Sequence, residues 1–136
     1  METHLSHIQF NVAAANLPFY ASLMAFLGWP TIMANDEMLG VAGKGGDSVW
    51  FIGAAKDVAN DYDGPGMNHL AIGTAHQADV DAAAAYLDEN NIPALFETPR
   101  HRPDFAESAD KTYYQVMFES PDRILFEVVY TGPKSG

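Results

Sequence analysis

Two short phrases, Ser6-His7-Ile8-Gln9-Phe10 and Asn68-His69-Leu70-Ala71-Ile72, set a histidine at the same point of two strand-like segments, and a similar order of elements follows each. Residues 5–12 alternate, with Ile8, Phe10 and Val12 on one face and His7, Gln9 and Asn11 on the other, the period-2 signature of a half-buried strand. Asn16-Leu17-Pro18 then starts a helix that Gly28 ends, with its apolar stripe expected at Phe19, Leu23, Phe26 and Leu27. Thr31–Met33, Met38–Ala42 and Ser48–Ala54 read as strands separated by turn clusters. Past an acidic stretch rich in Gly, Pro and Asn, the order returns. Met67–Thr74 is a strand, and Asp79–Asn91 a helix striped by Val80, Ala84 and Leu87. Ala94–Glu97, Thr112–Glu119 and Ile124–Tyr130 are strands, the last two joined by the tight turn Ser120-Pro121-Asp122-Arg123. Both halves therefore read β-α-β-β-β. A half of this size cannot bury its sheet alone, so two are expected to pack as one domain over 1–136: module one about 4–56, linker about 57–66, module two about 67–131.

The repeat also carries chemistry. A third phrase, Leu125-Phe126-Glu127-Val128-Val129, puts one carboxylate inside an apolar strand. Two histidines and a carboxylate on strands suit an open metal site that leaves coordination positions for a substrate. An unpaired carboxylate there would cost several kcal/mol or protonate, so Glu127 is expected either to have a partner or to lie on a solvated edge. Gln9 shares the face of His7. In Thr112–Glu119 the alternation sends Val116 and Phe118 one way and Tyr113, Gln115 and Met117 the other. The second set reads as a pocket wall or as the solvated face of an edge strand. Arg100-His101-Arg102, the one basic cluster, is expected in a loop between module-two strands, either solvated or drawing an anionic substrate. Asp57, Asp61 and Asp63 lack the ligand periodicity of a calcium loop.

Composition removes several classes of function. There is no cysteine, so neither disulfides nor thiolate ligands are available. A formal net charge of −11 argues against nucleic acid or an anionic membrane as partner. No run approaches the ~18 apolar residues of a membrane span, and no signal pattern opens the chain, so a cytoplasmic setting is expected.

At these residues the chain resembles the vicinal oxygen chelate superfamily, which includes glyoxalase I, fosfomycin-resistance proteins, extradiol dioxygenases and bleomycin-resistance proteins. The stretches that carry the resemblance are His7-Ile8-x-Phe10-x-Val12, Asn68-His69-Leu70-Ala71-Ile72 and Phe118-x-Ser120-Pro121-Asp122-Arg123-x-Leu125-x-Glu127-Val128-Val129. The last is similar to the superfamily's Phe-x-Asp-Pro-Asp-Gly-x-x-x-Glu ending, with Ser120 for the first Asp and Arg123 for Gly. The resemblance implies an α+β fold of two βαβββ modules whose mixed sheets curl into a cup. It implies one divalent metal, Fe, Mn, Ni or Zn, held by His7, His69 and Glu127. A fourth carboxylate ligand, found in glyoxalase I, is missing, and Trp50 or else Phe51 falls in its place. Gln9, Trp50, Tyr113, Gln115 and Met117 are then expected to contact a small-molecule substrate; no residue stands out as general base. The activity implied is metal-dependent, glyoxalase- or dioxygenase-like, in a homodimer. A metal-free module that sequesters a drug or metabolite, in the manner of bleomycin-resistance proteins, and a regulatory domain with a vestigial site are the rivals.

Overall fold

The computed structural model describes residues 1–135. Two compact units are distinguished, residues 1–59 and a second that begins at Asn60. In the first, β1 (His7–Asn11), α1 (Leu17–Phe26), β2 (Thr31–Ala34), β3 (Met38–Ala42) and β4 (Ser48–Ile52) follow in order. Its sheet runs β1-β4-β3-β2, with β1 parallel to β4 and the other pairs antiparallel. Along β4, Val49 and Phe51 are buried while Ser48, Trp50 and Ile52 are half-buried. The Phe51 ring stacks on Tyr20 of α1 at 4.3 Å and on Phe10 of β1 at 5.6 Å, so α1 covers the Phe51 face. The β1–β4 register pairs His7 with Ser48 and Gln9 with Trp50, which sets these four on the opposite face.

Pro18 lies in the first turn of α1, where its missing N–H has no intrahelical partner to lose, and Gly28 at φ +83° ends the helix. The buried stripe of α1 is Leu17, Tyr20, Leu23 and Met24. Of the expected stripe only Leu23 is fully buried, and Phe26 is 43% exposed. The sequence LPFYASLMAF is apolar on nearly every face, so spacing alone does not select the side that meets the sheet.

The second unit repeats the plan with β5 (Leu70–Gly73), α2 (Gln77–Glu89), β6 (Leu95–His101), β7 (Lys111–Glu119) and β8 (Leu125–Pro133). The sheet order is β5-β8-β7-β6, and β5 is parallel to β8. Helix α2 packs on β7 and β8 through Val80, Ala83 and Leu87, Ala83 taking the place expected for Ala84. Phe118 and Phe126, partners in register, stack at 5.5 Å beneath it. Because β8 lies between β5 and β7, Glu127 is on an interior strand and not on a solvated edge. In the β7–β8 turn, Ser120 Oγ accepts from the N–H groups of Asp122 and Ile124 at 3.2 and 3.1 Å, and Arg123 takes φ +57°. That left-handed conformation is why glycine suits this place in the pattern the chain resembles.

Two expectations are corrected here. β5 begins at Leu70, so His69 immediately precedes the strand. β6 continues to His101, and Arg100 and His101 pair with Gln115 and Tyr114 instead of lying in a loop. The polar run Glu97-Thr98-Pro99-Arg100 conceals this strand. Phe96 and Glu97 sit at φ +58° and +59°, where the register shifts. Thr98 Oγ1 closes the irregularity, donating to Leu95 O at 2.6 Å and accepting from Met117 N–H at 2.9 Å. Among the described residues no helix is long and apolar enough to cross a membrane.

Candidate functional site

The second unit brings a histidine and a carboxylate into direct contact. The β5–β8 register sets Ala71 against Glu127, and His69, two residues earlier, projects from the same face. His69 Nε2 lies 2.9 Å from Glu127 Oε2. Glu127 is only 1% exposed, and the other carboxylate oxygen, Oε1, accepts the Tyr113 hydroxyl at 2.5 Å. Burial first, and then this bond to Glu127, push the Tyr113 phenol well above its ordinary pKa. The phenol therefore serves as a donor across the physiological range. On the other side of the imidazole, His69 Nδ1 is 2.7 Å from Asn68 Oδ1.

This donor set fits a metal ion. Both imidazole nitrogens face oxygen atoms, an arrangement that suits either a doubly protonated ring paired with Glu127 or a neutral ring with one N–H and a cation on the other side. Two ligand atoms about 2.1 Å from one ion, at roughly a right angle, are about 3.0 Å apart, close to the Nε2–Oε2 separation. Tyr113 occupies Oε1 and leaves Oε2 to face the imidazole. No group of three or more His, Asp or Glu side chains is gathered among the described residues; the second unit by itself supplies this pair.

The pair forms part of the wall of a cavity of about 470 Å³ in the second unit. Tyr113, Gln115 and Met117 line it, as their alternation on β7 leads one to expect. Gln115 is 3% exposed and its Oε1 has no hydrogen-bond partner among the described residues, as is true of Nε of Arg100 opposite it. Apolar surface comes from Phe96, Phe105 and Leu125. The Phe105 ring meets Tyr113 edge-on at 5.5 Å, and the Arg102 guanidinium stands over the Phe105 ring, 4.5 Å from its centre. Arg102 also bonds the Asp104 carboxylate, which lowers the pKa of that group.

His7, Gln9 and Trp50 belong to the first unit and are not among the residues of this cavity. His7 is exposed with Nδ1 3.1 Å from Ser6 Oγ, and Gln9 Nε2 donates to Asn11 Oδ1 at 3.1 Å. Trp50 lies flat across Gly40, with its indole N–H donating to Ser48 Oγ at 3.0 Å. The registers distinguish the two aromatics of β4 by position. Gln9 opposes Trp50 as Ala71 opposes Glu127, and each follows its histidine by two residues. Trp50 is the positional counterpart of Glu127, and Phe51 is core.

Sequence reasoning passed over Tyr62, Phe96, Phe105 and Leu125 and read Asp63 as solvated linker; all five line the cavity. Tyr62 and Asp63 fall in the stretch read as linker, where a lone tyrosine among Asp, Gly and Asn was the available signal.

No protein-family model and no curated protein matches the chain. Solved structures do match it over nearly its whole length. A candidate glyoxalase from Bacillus halodurans aligns at 25% identity with a TM-score of 0.77, covering 95% of this chain and 96% of that one. A glyoxalase/dioxygenase from Nostoc punctiforme aligns at 18% identity and a TM-score of 0.72, over 95% and 91% of the two chains. The fosfomycin resistance protein FosX from Listeria monocytogenes, complexed with Mn(II) and sulfate, aligns at 18% identity and a TM-score of 0.68, over 96% and 91%.

Proposed function

We propose, for a chain that is by its fold a member of the vicinal oxygen chelate superfamily, a metal-dependent activity on a small oxygenated molecule bound in the second-unit cavity. The observation that carries this reading is the His69–Glu127 pair, 2.9 Å apart at the wall of a cavity otherwise dominated by aromatic and aliphatic side chains. The Mn(II) described for the FosX neighbour agrees with the choice of a divalent ion. His69 and Glu127 would hold the ion through Nε2 and Oε2, and His7 is the third ligand the sequence nominates. When bound, such an ion supplies Lewis-acid polarisation of an oxygen chelated to it. The chain's own residues do the rest. Tyr113 keeps Oε1 engaged and fixes the plane of the carboxylate. Phe96, Phe105, Leu125 and Met117 exclude water from an apolar substrate body, and Gln115 and Arg102 offer polar groups to orient its oxygens. A homodimer is expected; sedimentation at micromolar concentration giving a monomer mass would contradict that.

The test is a Mn(II) titration followed by oxalate, a small chelating dianion, read by water-proton relaxation. Wild type should bind Mn(II) at one site, and oxalate should lower the relaxation enhancement by displacing bound water. His69→Ala and Glu127→Ala should each weaken Mn(II) by more than about tenfold, with His7→Ala measured alongside. A wild type that binds no Mn(II), while small aromatic molecules still enter the cavity, would transfer the reading to metal-free sequestration.

A further inference from the structure

We propose that Asn68 is a positioning residue that holds the His69 proton on Nδ1 and so presents Nε2 as the ligand atom; this deepens the metal reading above and rests on it. The argument begins with the amide of Asn68, whose two ends are not interchangeable here. Its Nδ2 donates to the backbone carbonyl of Tyr62 at 2.9 Å, a bond that only the NH₂ end can make. The oxygen end must then point the other way, where Oδ1 meets His69 Nδ1 at 2.7 Å. That oxygen bears no hydrogen, so Nδ1 must donate. The opposite tautomer would set two lone pairs against each other across 2.7 Å and would put an N–H on Nε2, closing the side that faces Glu127.

The carbonyl that orients Asn68 is itself fixed. The Tyr62 hydroxyl donates to Glu119 Oε2 at 3.0 Å at the end of β7, and the Arg123 guanidinium stands 5.7 Å from the centre of its ring. Asn60 Nδ2 donates to Arg123 O at 2.8 Å, a second tie between this segment and the β7–β8 turn. The stretch before β5 is therefore an anchored strap whose carbonyl sets the amide, which sets the imidazole. With Nδ1–H assigned, the 2.9 Å approach of Nε2 to Glu127 Oε2 is met either by a second ring proton donated to the carboxylate or by a cation held between the two atoms, and the metal reading takes the second.

The experiment is long-range ¹H–¹⁵N NMR of the histidine rings in metal-free and Zn(II)-loaded protein, with the His69 signals assigned by their loss in His69→Ala, beside calorimetric Zn(II) affinities. In wild type, Nδ1 should stay protonated in both states, and Nε2 should shift to the metal-bound range when Zn(II) is added. Asn68→Ala should move the metal-free ring toward the Nε2–H tautomer and weaken Zn(II) roughly 10–100-fold. Asn68→Asp keeps an acceptor for Nδ1–H while giving up the bond to Tyr62 O. It should retain the wild-type tautomer and a Zn(II) affinity within about threefold. An alanine variant with unchanged tautomer and affinity would overturn the proposal, as would an aspartate variant with the Nε2–H tautomer, a readout that stands if the alanine variant does not fold. If wild-type protein binds no Zn(II), the metal reading fails, and the metal-free tautomers still decide the role of Asn68.

Discussion

Tyr113 and Tyr114 are neighbours on one strand, yet removing their hydroxyls should have very different consequences. The Tyr113 hydroxyl donates at 2.5 Å to a carboxylate that is 1% exposed, whereas the Tyr114 hydroxyl donates at 2.6 Å to Asp81 on the exposed outside of α2. A hydrogen bond to a charged group contributes about 1.5–3 kcal/mol, and an acceptor left unpaired in a buried position loses that in full. Tyr113→Phe should therefore destabilise the protein by about 2 kcal/mol, roughly a 30-fold shift in the unfolding equilibrium. For a chain of this size that corresponds to a fall in Tm of about 6–10 °C. At Tyr114→Phe water replaces the lost donor, and the cost should stay within about 0.5 kcal/mol. Urea unfolding of both variants and wild type, followed by circular dichroism, makes the comparison. Equal losses, or a Tyr113→Phe protein as stable as wild type, would refute the assignment of the buried hydrogen bond.

Tyr114 should also show in the alkaline limb. Its hydrogen bond to Asp81 and partial burial raise its pKa to about 12, so its contribution to stability is fully present below the unfolded value near 10 and lost as pH rises toward 12. Phenolate absorbance should lose its component near pH 12 in Tyr114→Phe. Gly40→Ala would put a methyl 2.5 Å from the Trp50 ring; it should cost about 1–3 kcal/mol and alter Trp50 fluorescence as the indole leaves Ser48. An unchanged spectrum would mean that the ring does not cover Gly40. Arg123→Gly relieves φ +57° and surrenders only an exposed ion pair with Glu119 and the contact with Tyr62. It should raise stability by about 0.5–1 kcal/mol in urea unfolding, and a clear loss would contradict the strain argument.

The two βαβββ units were legible because the period-2 strands and the recurring histidines occur twice in the same order, and neither signal depends on packing. What failed did so for local reasons. α1 is apolar on most of its surface, so no spacing rule could choose Leu17, Tyr20 and Met24 over Phe19 and Phe26. β6 carries Glu, Thr, Pro and Arg across two left-handed residues, and its pairing comes from β7 rather than from its own propensity. At the site, alternation sufficed for Tyr113, Gln115 and Met117 because β7 is regular. It could not decide whether Glu127 was interior, since strand order is not written in one strand. Tyr62, Phe96 and Phe105 reach the cavity from irregular backbone, where no period predicts direction.

Metal analysis of protein purified without chelators or an affinity metal resin is the most direct check on the reading of His69 and Glu127. One equivalent of a divalent transition metal per chain should be found, or be taken up on titration with Mn(II), Fe(II), Ni(II) or Zn(II), and Glu127→Gln should lose it while remaining folded. A wild-type protein that takes up none of the four, or a Glu127→Gln protein that holds its metal as tightly as wild type, would contradict the assignment.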